Sequence, residues 1–215
     1  MVRRTKEEAQ ETRTRILDAA EQVFSEKGVS RTSLADIAQM AGVTRGAIYW
    51  HFADKTELFF AMREQVALPM IDRIDLALLS ANGSDALAGI ERFLLGILEA
   101  LEGDAAARQT FQIMGFKCEY VGEFERELAL QRLRTSELLA KLRQAYARAR
   151  RAGQLRTGLR PSVAALETCS FVIGLTRLWL LDSKGALLRR AARGLIGVHV
   201  TGHRRGRKAK SPRNL

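Results

Sequence analysis

Apolar residues recur at helical spacing in the first part of the chain. Ile16, Ala20 and Phe24 follow one another at intervals of four, which places them on one face of a helix. Gly28 stands where the cap of such a helix belongs. The pattern therefore predicts a helix over 6–27 whose apolar stripe faces a core.

Two shorter helices are predicted directly after it. In SLADIAQMAG, Ser33 and Asp36 have the spacing of a capping box, and Gly42 ends the segment. Thr44 can cap a further helix that ends at Phe52. The sequence thus predicts two short helices separated by a tight turn.

Longer helices follow. Asp54 and Glu57 form another capping box that begins a fourth helix at Lys55, which we expect to run to about Leu79 with a bend at Pro69. The segment 81–85, ANGSD, is the clearest break. Further helices are expected at about 85–101, 104–117, 122–152, 161–181 and 185–199. With three prolines in the chain and no sustained apolar/polar alternation, the predicted fold class is all-α.

The third helix divides into two faces. Ile48 and Phe52 are four residues apart and face the core, whereas Arg45 and Tyr49 share another face, and Trp50 also lies off the buried stripe. Two capped helices with a tight turn and an outward aromatic face are typical of a helix-turn-helix, whose second helix enters the major groove. A lone exposed Arg/Tyr pair would more simply be a solvated surface, so the prediction depends on the whole arrangement.

The side chains on that face suit DNA. Arg45 can bind guanine O6 and N7, and Tyr49 can offer its hydroxyl to phosphate and its ring to a thymine methyl group. The start of the fourth helix near Lys55 presents free N–H groups to an anion, and Arg3, Arg4 and Lys6 form a basic arm. The candidate DNA-binding residues are Thr32, Ser33, Thr44, Arg45, Gly46, Tyr49, Trp50, His51 and Lys55. We expect His51 to serve as a phosphate or capping partner and not as a catalyst.

Charge and composition narrow the function further. The net charge is +11, but residues 1–60 carry nine basic and nine acidic residues, whereas 199–215 carry six basic and no acidic residues. Two cysteines and three histidines provide neither a disulfide framework nor metal-ligand spacing. Because the sequence has no nucleophile motif, phosphate-binding glycine loop, signal peptide or long apolar run, we expect a cytoplasmic protein without a cofactor, a metal, enzymatic activity or a membrane partner.

The stretch RTSLADIAQMAGVTRGAIYWHFADKTELF and the preceding RRTKEEAQETRTRILDAAEQVFSEKG resemble the DNA-binding domain of the TetR/AcrR family of bacterial repressors. Shorter pieces, FKCEY at 116–120 and GLTRLWLL at 174–181, resemble its branch that controls multidrug efflux pumps. The resemblance implies a homodimer with a DNA-binding domain at 1–55 and an effector-binding and dimerisation domain at 56–199. The segment 200–215 is basic and poor in apolar residues, which predicts a disordered tail. The resemblance also assigns the candidate residues of the third helix to operator contacts.

The resemblance further implies a dimer interface and an effector cavity. The last two long helices would form a four-helix bundle with the second subunit through Leu166, Val172, Leu175, Leu178, Leu187, Leu188, Leu195 and Ile196. A small apolar or aromatic effector would contact Val66, Met70, Phe93, Ile97, Phe111, Met114, Phe116, Leu138, Leu142, Val172 and Arg177, although each of the apolar residues could simply be core. Gly115 and Phe116 stand where that branch often has polar groups, so no particular effector is implied. The predicted function is a ligand-responsive repressor of an efflux-pump operon, with a TetR-type regulator of another operon or a non-specific DNA-binding protein as alternatives.

Overall fold

In the computed structural model, residues 6–65, 78, 85–182, 184–185 and 188–206 are described. The helices are α1 (Lys6–Lys27), α2 (Leu34–Ala41), α3 (Arg45–His51), α4 (described over 55–65), α5 (Ala86–Gly103), α6 (Ala105–Phe116), the 3₁₀ turn η1 (Gly122–Phe124), α7 (Glu125–Arg151), α8 (Pro161–Leu181) and α9 (Leu188–His203). The described residues contain no strand, apart from an isolated bridge between Leu155 and Arg204. The predicted all-α fold is confirmed.

The chain forms two compact units. The first unit comprises Met1–Asp72 and Glu99–Arg132, and the second comprises Arg73–Leu98 and Leu133–Leu215. In the first unit, α6 and the start of α7 pack with the three N-terminal helices. The division into functional domains after residue 55 stays a prediction.

The core of the first unit gathers the apolar stripes of its short helices. Ile16, Phe24, Ile37 and Ile48 are fully buried, and Phe52 is nearly so. This arrangement confirms the inward face expected for α1 and α3. Aromatic rings extend the core in edge-to-face contacts, in which Phe59 lies 5.8 Å from Phe24 and 5.4 Å from Phe124 between ring centroids.

Local hydrogen bonds account for the positions of α2 and α3. The Ser33 hydroxyl accepts from the Asp36 amide, and the Asp36 carboxylate accepts from the Ser33 amide, which completes the predicted capping box. Gly42 adopts a left-handed conformation with φ 64° and ends α2, as only glycine does without strain. Thr44 then caps α3 by accepting from the Ala47 amide at 3.2 Å.

The second unit has a core that encloses polar groups. Around the buried Tyr146, hydrogen bonds join three helices: its hydroxyl contacts Thr168 Oγ1 at 2.6 Å and His203 Nδ1 at 2.8 Å. Thr168 also bonds His199 Nε2 at 2.8 Å, and His203 Nε2 pairs with Glu167 at 2.9 Å. Every ring nitrogen in these contacts has a partner, as buried polar groups require.

Several predicted boundaries need correction. The helix expected over 122–152 begins as η1, and α7 proper starts at Glu125. The final helix, predicted to end at 199, continues to His203 because Val200 and His203 are buried, so the predicted disordered tail at 200–215 begins too early. The bend at Pro69, most of the break at 81–85, the arm residues Arg3 and Arg4, and residues 207–215 lie outside the described residues.

Helix α8 is largely apolar, with a length and hydropathy that would also suit a membrane span. However, 44% of its apolar window is buried inside the protein. The buried residues include Ala164, Val172 and Trp179. This pattern is that of a core helix.

Candidate DNA-binding surface

The outward face of α3 is an exposed polar and aromatic surface. Tyr49 is 51% exposed and Trp50 is 72% exposed. The Arg45 guanidinium lies 3.4 Å from the Tyr49 hydroxyl, and its carbon is 6.0 Å from the centre of the Tyr49 ring. Arg45 is therefore loosely held beside Tyr49, with most of its hydrogen-bonding capacity available to a base edge.

The rest of α3 allows a close approach to a ligand. Gly46 is exposed, and a Cβ added there would meet only Thr44 Oγ1 at 3.8 Å, so packing inside the protein does not require glycine at this position. His51 is half-buried and lies edge-to-face against Trp50, with 4.6 Å between ring centroids. The indole thus rests on the His51 ring on one side and is otherwise largely exposed.

The residues before α2 differ in their availability. Ser33 is exposed, although its hydroxyl is engaged with Asp36 Oδ2 at 2.7 Å. Thr32, by contrast, is buried. Its hydroxyl donates to the Gly28 carbonyl at 2.8 Å, and its amide donates to the Val29 carbonyl at 3.3 Å. In this conformation Thr32 closes the turn after α1, so its hydroxyl and amide are engaged inside the protein, and its contact with DNA stays a prediction.

A charged contact braces α2 against α1. Lys27 Nζ donates to Asp36 Oδ1 at 2.6 Å, across the turn that joins the two helices. The hydrogen bond from Lys27, with those from the Ser33 amide and hydroxyl, holds the pKa of the Asp36 carboxyl well below its usual range. Asp36 therefore stays ionised, and it completes the N-terminal cap of α2 and forms the ion pair that joins α2 to α1.

Lys55 is placed differently from the expected free phosphate contact. Its ammonium group donates to the Val29 carbonyl at 3.2 Å, pairs with Glu123 at 3.1 Å and lies 5.7 Å from the centre of the Phe124 ring. The side chain is 16% exposed. In this conformation Lys55 joins the start of α4 to η1, and it would have to leave Glu123 to bind a phosphate.

A cleft of about 330 Å³ lies at the turn between α2 and α3. It is lined by Arg15, Ala38, Gln39, Gly42, Val43, Thr44 and Ala47. Arg15 and Gln39 are not among the predicted candidates, because no sequence signal places Arg15 of α1 beside Thr44. Both side chains are exposed beside Thr44, and only the tertiary structure brings Arg15 there from α1.

Buried charges connect α4 to the start of α7 within the first unit. Arg63 forms an ion pair with Glu127, and their side chains are 1% and 0% exposed. Nearby, the Val29 amide donates to the Lys117 carbonyl at 2.8 Å, and a Cβ on Gly28 would meet that carbonyl at 3.4 Å. These contacts tie the N-terminal helices to the segment that follows α6.

The predicted effector residues are distributed over both units. Phe93, Ile97, Leu142 and Val172 are buried in the second unit, where Leu138 is half-buried and Arg177 is exposed. Phe111, Met114 and Phe116 are half-buried in the first unit, whereas Val66 and Met70 lie outside the described residues. None of those within the described residues lines the larger cleft, of about 820 Å³, which lies between α8, α9 and Arg143. Their effector role therefore stays a prediction.

Cys118 is held as an unreactive thiol. Burial raises its pKa to about 12, and the carboxylates of Glu127 and Glu119 add to this effect while Lys55 opposes it. Because the thiolate is the reactive form, Cys118 is a poor nucleophile near neutral pH.

Comparison with known families assigns this architecture. Residues 16–62 match the family described as "Bacterial regulatory proteins, tetR family", and residues 85–202 match the C-terminal region of the MAATS-type transcriptional repressors. The chain belongs to the TetR family. TetR-family proteins are transcriptional regulators and not enzymes, so the expectation of a DNA-binding regulator without enzymatic activity is confirmed.

Other TetR-family regulators match nearly the whole chain. The transcriptional regulator TtgR of Pseudomonas putida is 42% identical over 184 residues, which cover 84% of this chain and 86% of TtgR. The crystal structure of NalD, the secondary repressor of the MexAB-OprM multidrug efflux pump in Pseudomonas aeruginosa, has a TM-score of 0.81 and 33% identity, covering 94% of this chain and 100% of NalD. The complex of SmeT with triclosan has a TM-score of 0.77 and 29% identity, covering 96% and 99%. SmeT represses the SmeDEF multidrug efflux pump of Stenotrophomonas maltophilia.

Proposed function

We propose that this TetR-family protein is a cytoplasmic repressor that binds a palindromic operator as a homodimer, controls a multidrug efflux-pump operon and is released by a small, largely apolar effector. The observation that carries the operator assignment is the exposed face of α3, where Arg45 lies beside Tyr49 while Ile48 of the same helix is buried in the core. The pump assignment rests on NalD and SmeT, each of which represses such a pump.

The operator contacts can be tested with DNA from upstream of the protein's own gene. Arg45→Ala should weaken binding by about 1–3 kcal/mol if Arg45 reads a base, and Tyr49→Phe should cost less if its hydroxyl meets a phosphate. Arg92→Ala is the matched control, because Arg92 is an exposed arginine on α5. Fluorescence titration at physiological salt measures all three. If Arg45→Ala binds as tightly as the control, Arg45 does not read the operator.

An apolar face on α8 and α9 supports the homodimer. Leu166 and Ile173 on α8 are 56% and 51% exposed, and Leu195 and Val198 on α9 are 40% and 72% exposed. Of these four, only Leu166 and Leu195 were predicted for the interface. The predicted interface residues Val172, Leu175 and Ile196 are instead buried in the core of the second unit. Exposed apolar groups on two neighbouring helices favour a four-helix bundle with a second copy.

The homodimer has a direct test. Val198→Asp should give a monomer in light scattering after size-exclusion chromatography, because it places a charge in the proposed apolar contact. Leu133→Asp is the control, since Leu133 is also exposed, at 54%, but lies on α7. A Val198→Asp protein that stays dimeric would exclude this face as the interface.

Release by an effector requires a difference in affinity between two conformations. Two half-sites on one DNA face lie about 34 Å apart. A change of a few ångströms in the distance between the two DNA-binding domains of the dimer would therefore move one α3 out of register with its half-site. An effector that prefers the released conformation by ~100-fold supplies roughly 2.7 kcal/mol. Triclosan is a suitable probe because SmeT binds it. We expect triclosan, or another compound from a panel of efflux-pump substrates, to weaken operator binding. If no compound in the panel does so, the proposed effector class is wrong, and the protein more simply regulates a different operon.

A further inference from the structure

Two basic segments that are distant in the sequence meet at one end of the second unit. The Arg156 amide donates to the His203 carbonyl at 2.8 Å, and the Arg205 amide donates to the Gln154 carbonyl at 2.7 Å. Together they form the antiparallel bridge between Leu155 and Arg204. The turn after α7 and the end of α9 are therefore held side by side by their backbones.

This juxtaposition collects positive charge. The terminal basic surface consists of five exposed arginines, Arg150, Arg151, Arg156, Arg160 and Arg205. The sequence contains no acidic residue from 138 to 166 and none after 182.

Two carboxylates of the second unit bind residues at the end of α9. Asp85 accepts from Arg204 at 2.8 Å, and Glu167 accepts from His203 at 2.9 Å. Arg204 offsets the charge of Asp85, and Glu167 is a single carboxylate against five arginines, so the surface keeps a net positive charge for an external anion.

Helix capping accounts for only part of this charge. Arg150 and Arg151 lie in the last turn of α7, where a cation complements the negative end of the helix dipole. Arg156 lies in the turn beyond that helix, and Arg160 is the N-cap of α8, where a positive charge is unfavourable to the dipole. Helix stability therefore gives no reason for a cation at Arg156 or Arg160, whereas an external anion does.

We propose that the terminal basic surface is a second DNA-binding site, which binds the phosphates of duplex DNA without reading the sequence. Guanidinium groups bind phosphate oxygens in bidentate fashion, and each neutralised phosphate releases a counterion. A membrane surface fits less well, because Leu155 is 6% exposed and Leu159 is half-buried, which leaves this turn without an exposed apolar anchor. This site is independent of the α3 surface and would let a regulator hold a second stretch of DNA.

The test measures binding of the full chain to a duplex that lacks the operator, over a series of salt concentrations. The triple variant Arg151→Gln/Arg156→Gln/Arg160→Gln should make the slope of log K against log salt shallower by up to about 2.7, since each neutralised phosphate contributes about 0.9. The matched control is Arg92→Gln/Lys184→Gln/Arg190→Gln, which removes the same charge from exposed positions elsewhere in the described chain. It should change the slope much less. Equal changes in the two triple variants would overturn the proposal.

Two more measurements distinguish this site from the α3 surface and from a lipid-binding surface. Arg45→Ala should lose operator preference and keep the non-operator slope, so failure of the α3 assignment and failure of this proposal give different results. Sedimentation with vesicles of phosphatidylserine and phosphatidylcholine tests a lipid surface. If the first triple variant loses vesicle binding while its DNA slope is unchanged, the surface binds lipid and the proposal is wrong. All substituted residues are exposed, and unchanged thermal melting by circular dichroism checks that the variants are folded.

Discussion

The buried ion pair between Arg63 and Glu127 gives the most exact stability prediction. Arg63→Met would leave the Glu127 carboxylate at 0% exposure without its cation. Removing one partner of a buried pair costs about 3–5 kcal/mol, because the remaining charge cannot be solvated. We expect a loss of this size in the free energy of unfolding, measured by urea denaturation at a fixed protein concentration.

A double variant tests whether the loss of stability comes from the unpaired charge. Arg63 Nε and Glu127 Oε1 are buried without a hydrogen-bond partner within the described structure, so the pair incompletely offsets its own desolvation. Arg63→Met/Glu127→Leu should therefore recover most of the lost stability, since apolar replacements of similar size remove both charges together.

Arg126→Met is the matched control. The guanidinium carbons of Arg126 and Arg63 both lie 5.3 Å from the centre of the Phe60 ring, but Arg126 is exposed. Its loss should cost about 0.5–1 kcal/mol, the value of an exposed cation–π contact. Two results would contradict the explanation: Arg63→Met lowering the free energy of unfolding no more than this control does, or the double variant being less stable than Arg63→Met. Either would mean that the buried, unpaired carboxylate does not cause the loss of stability.

Three further predictions concern charge and protonation. Glu123→Gln should raise operator affinity by at most about fivefold in a gel-shift titration, because a partly exposed pair with Lys55 is worth about 1 kcal/mol or less; an unchanged affinity would argue against competition with phosphate. Burial, with the charge of His203, lowers the pKa of His199 to about 4, although Glu167 opposes this shift. The folded protein then binds fewer protons than the unfolded chain between about pH 6.5 and 4, so Tm should fall as the pH drops through this window, and less so in His199→Gln. Cys118 should react with iodoacetamide at pH 8 far more slowly in the folded protein than in urea, as followed by mass spectrometry, and equal rates would contradict its raised pKa.

The sequence predicted those features that depend on neighbouring residues. The Ser33 and Asp36 capping box involves residues three apart, and the division of α3 between Ile48 inside and Tyr49 outside follows from helical periodicity. Such signals lie within one or two helical turns. They were sufficient for the all-α fold and for the outward face of α3.

Features set by distant residues were missed or misplaced. The ammonium group of Lys55 meets Val29 and Glu123, which are 26 and 68 positions away, so its engagement could not be inferred from the helix start alone. The continuation of α9 to His203 depends on Tyr146 in α7, which gives the imidazole a buried partner. Local polarity near 200 indicated a tail, and the tertiary contact overrides it.

The two tryptophans give each unit its own optical reporter. Trp50 is 72% exposed on α3 in the first unit, whereas Trp179 is 1% exposed in the second unit, with the Arg189 guanidinium carbon 4.1 Å from its ring centre. An exposed indole emits at longer wavelength than a buried one. With no added dye, quenching of the red emission by iodide or DNA would follow the α3 surface, and a red shift of the blue emission would follow unfolding of the second unit.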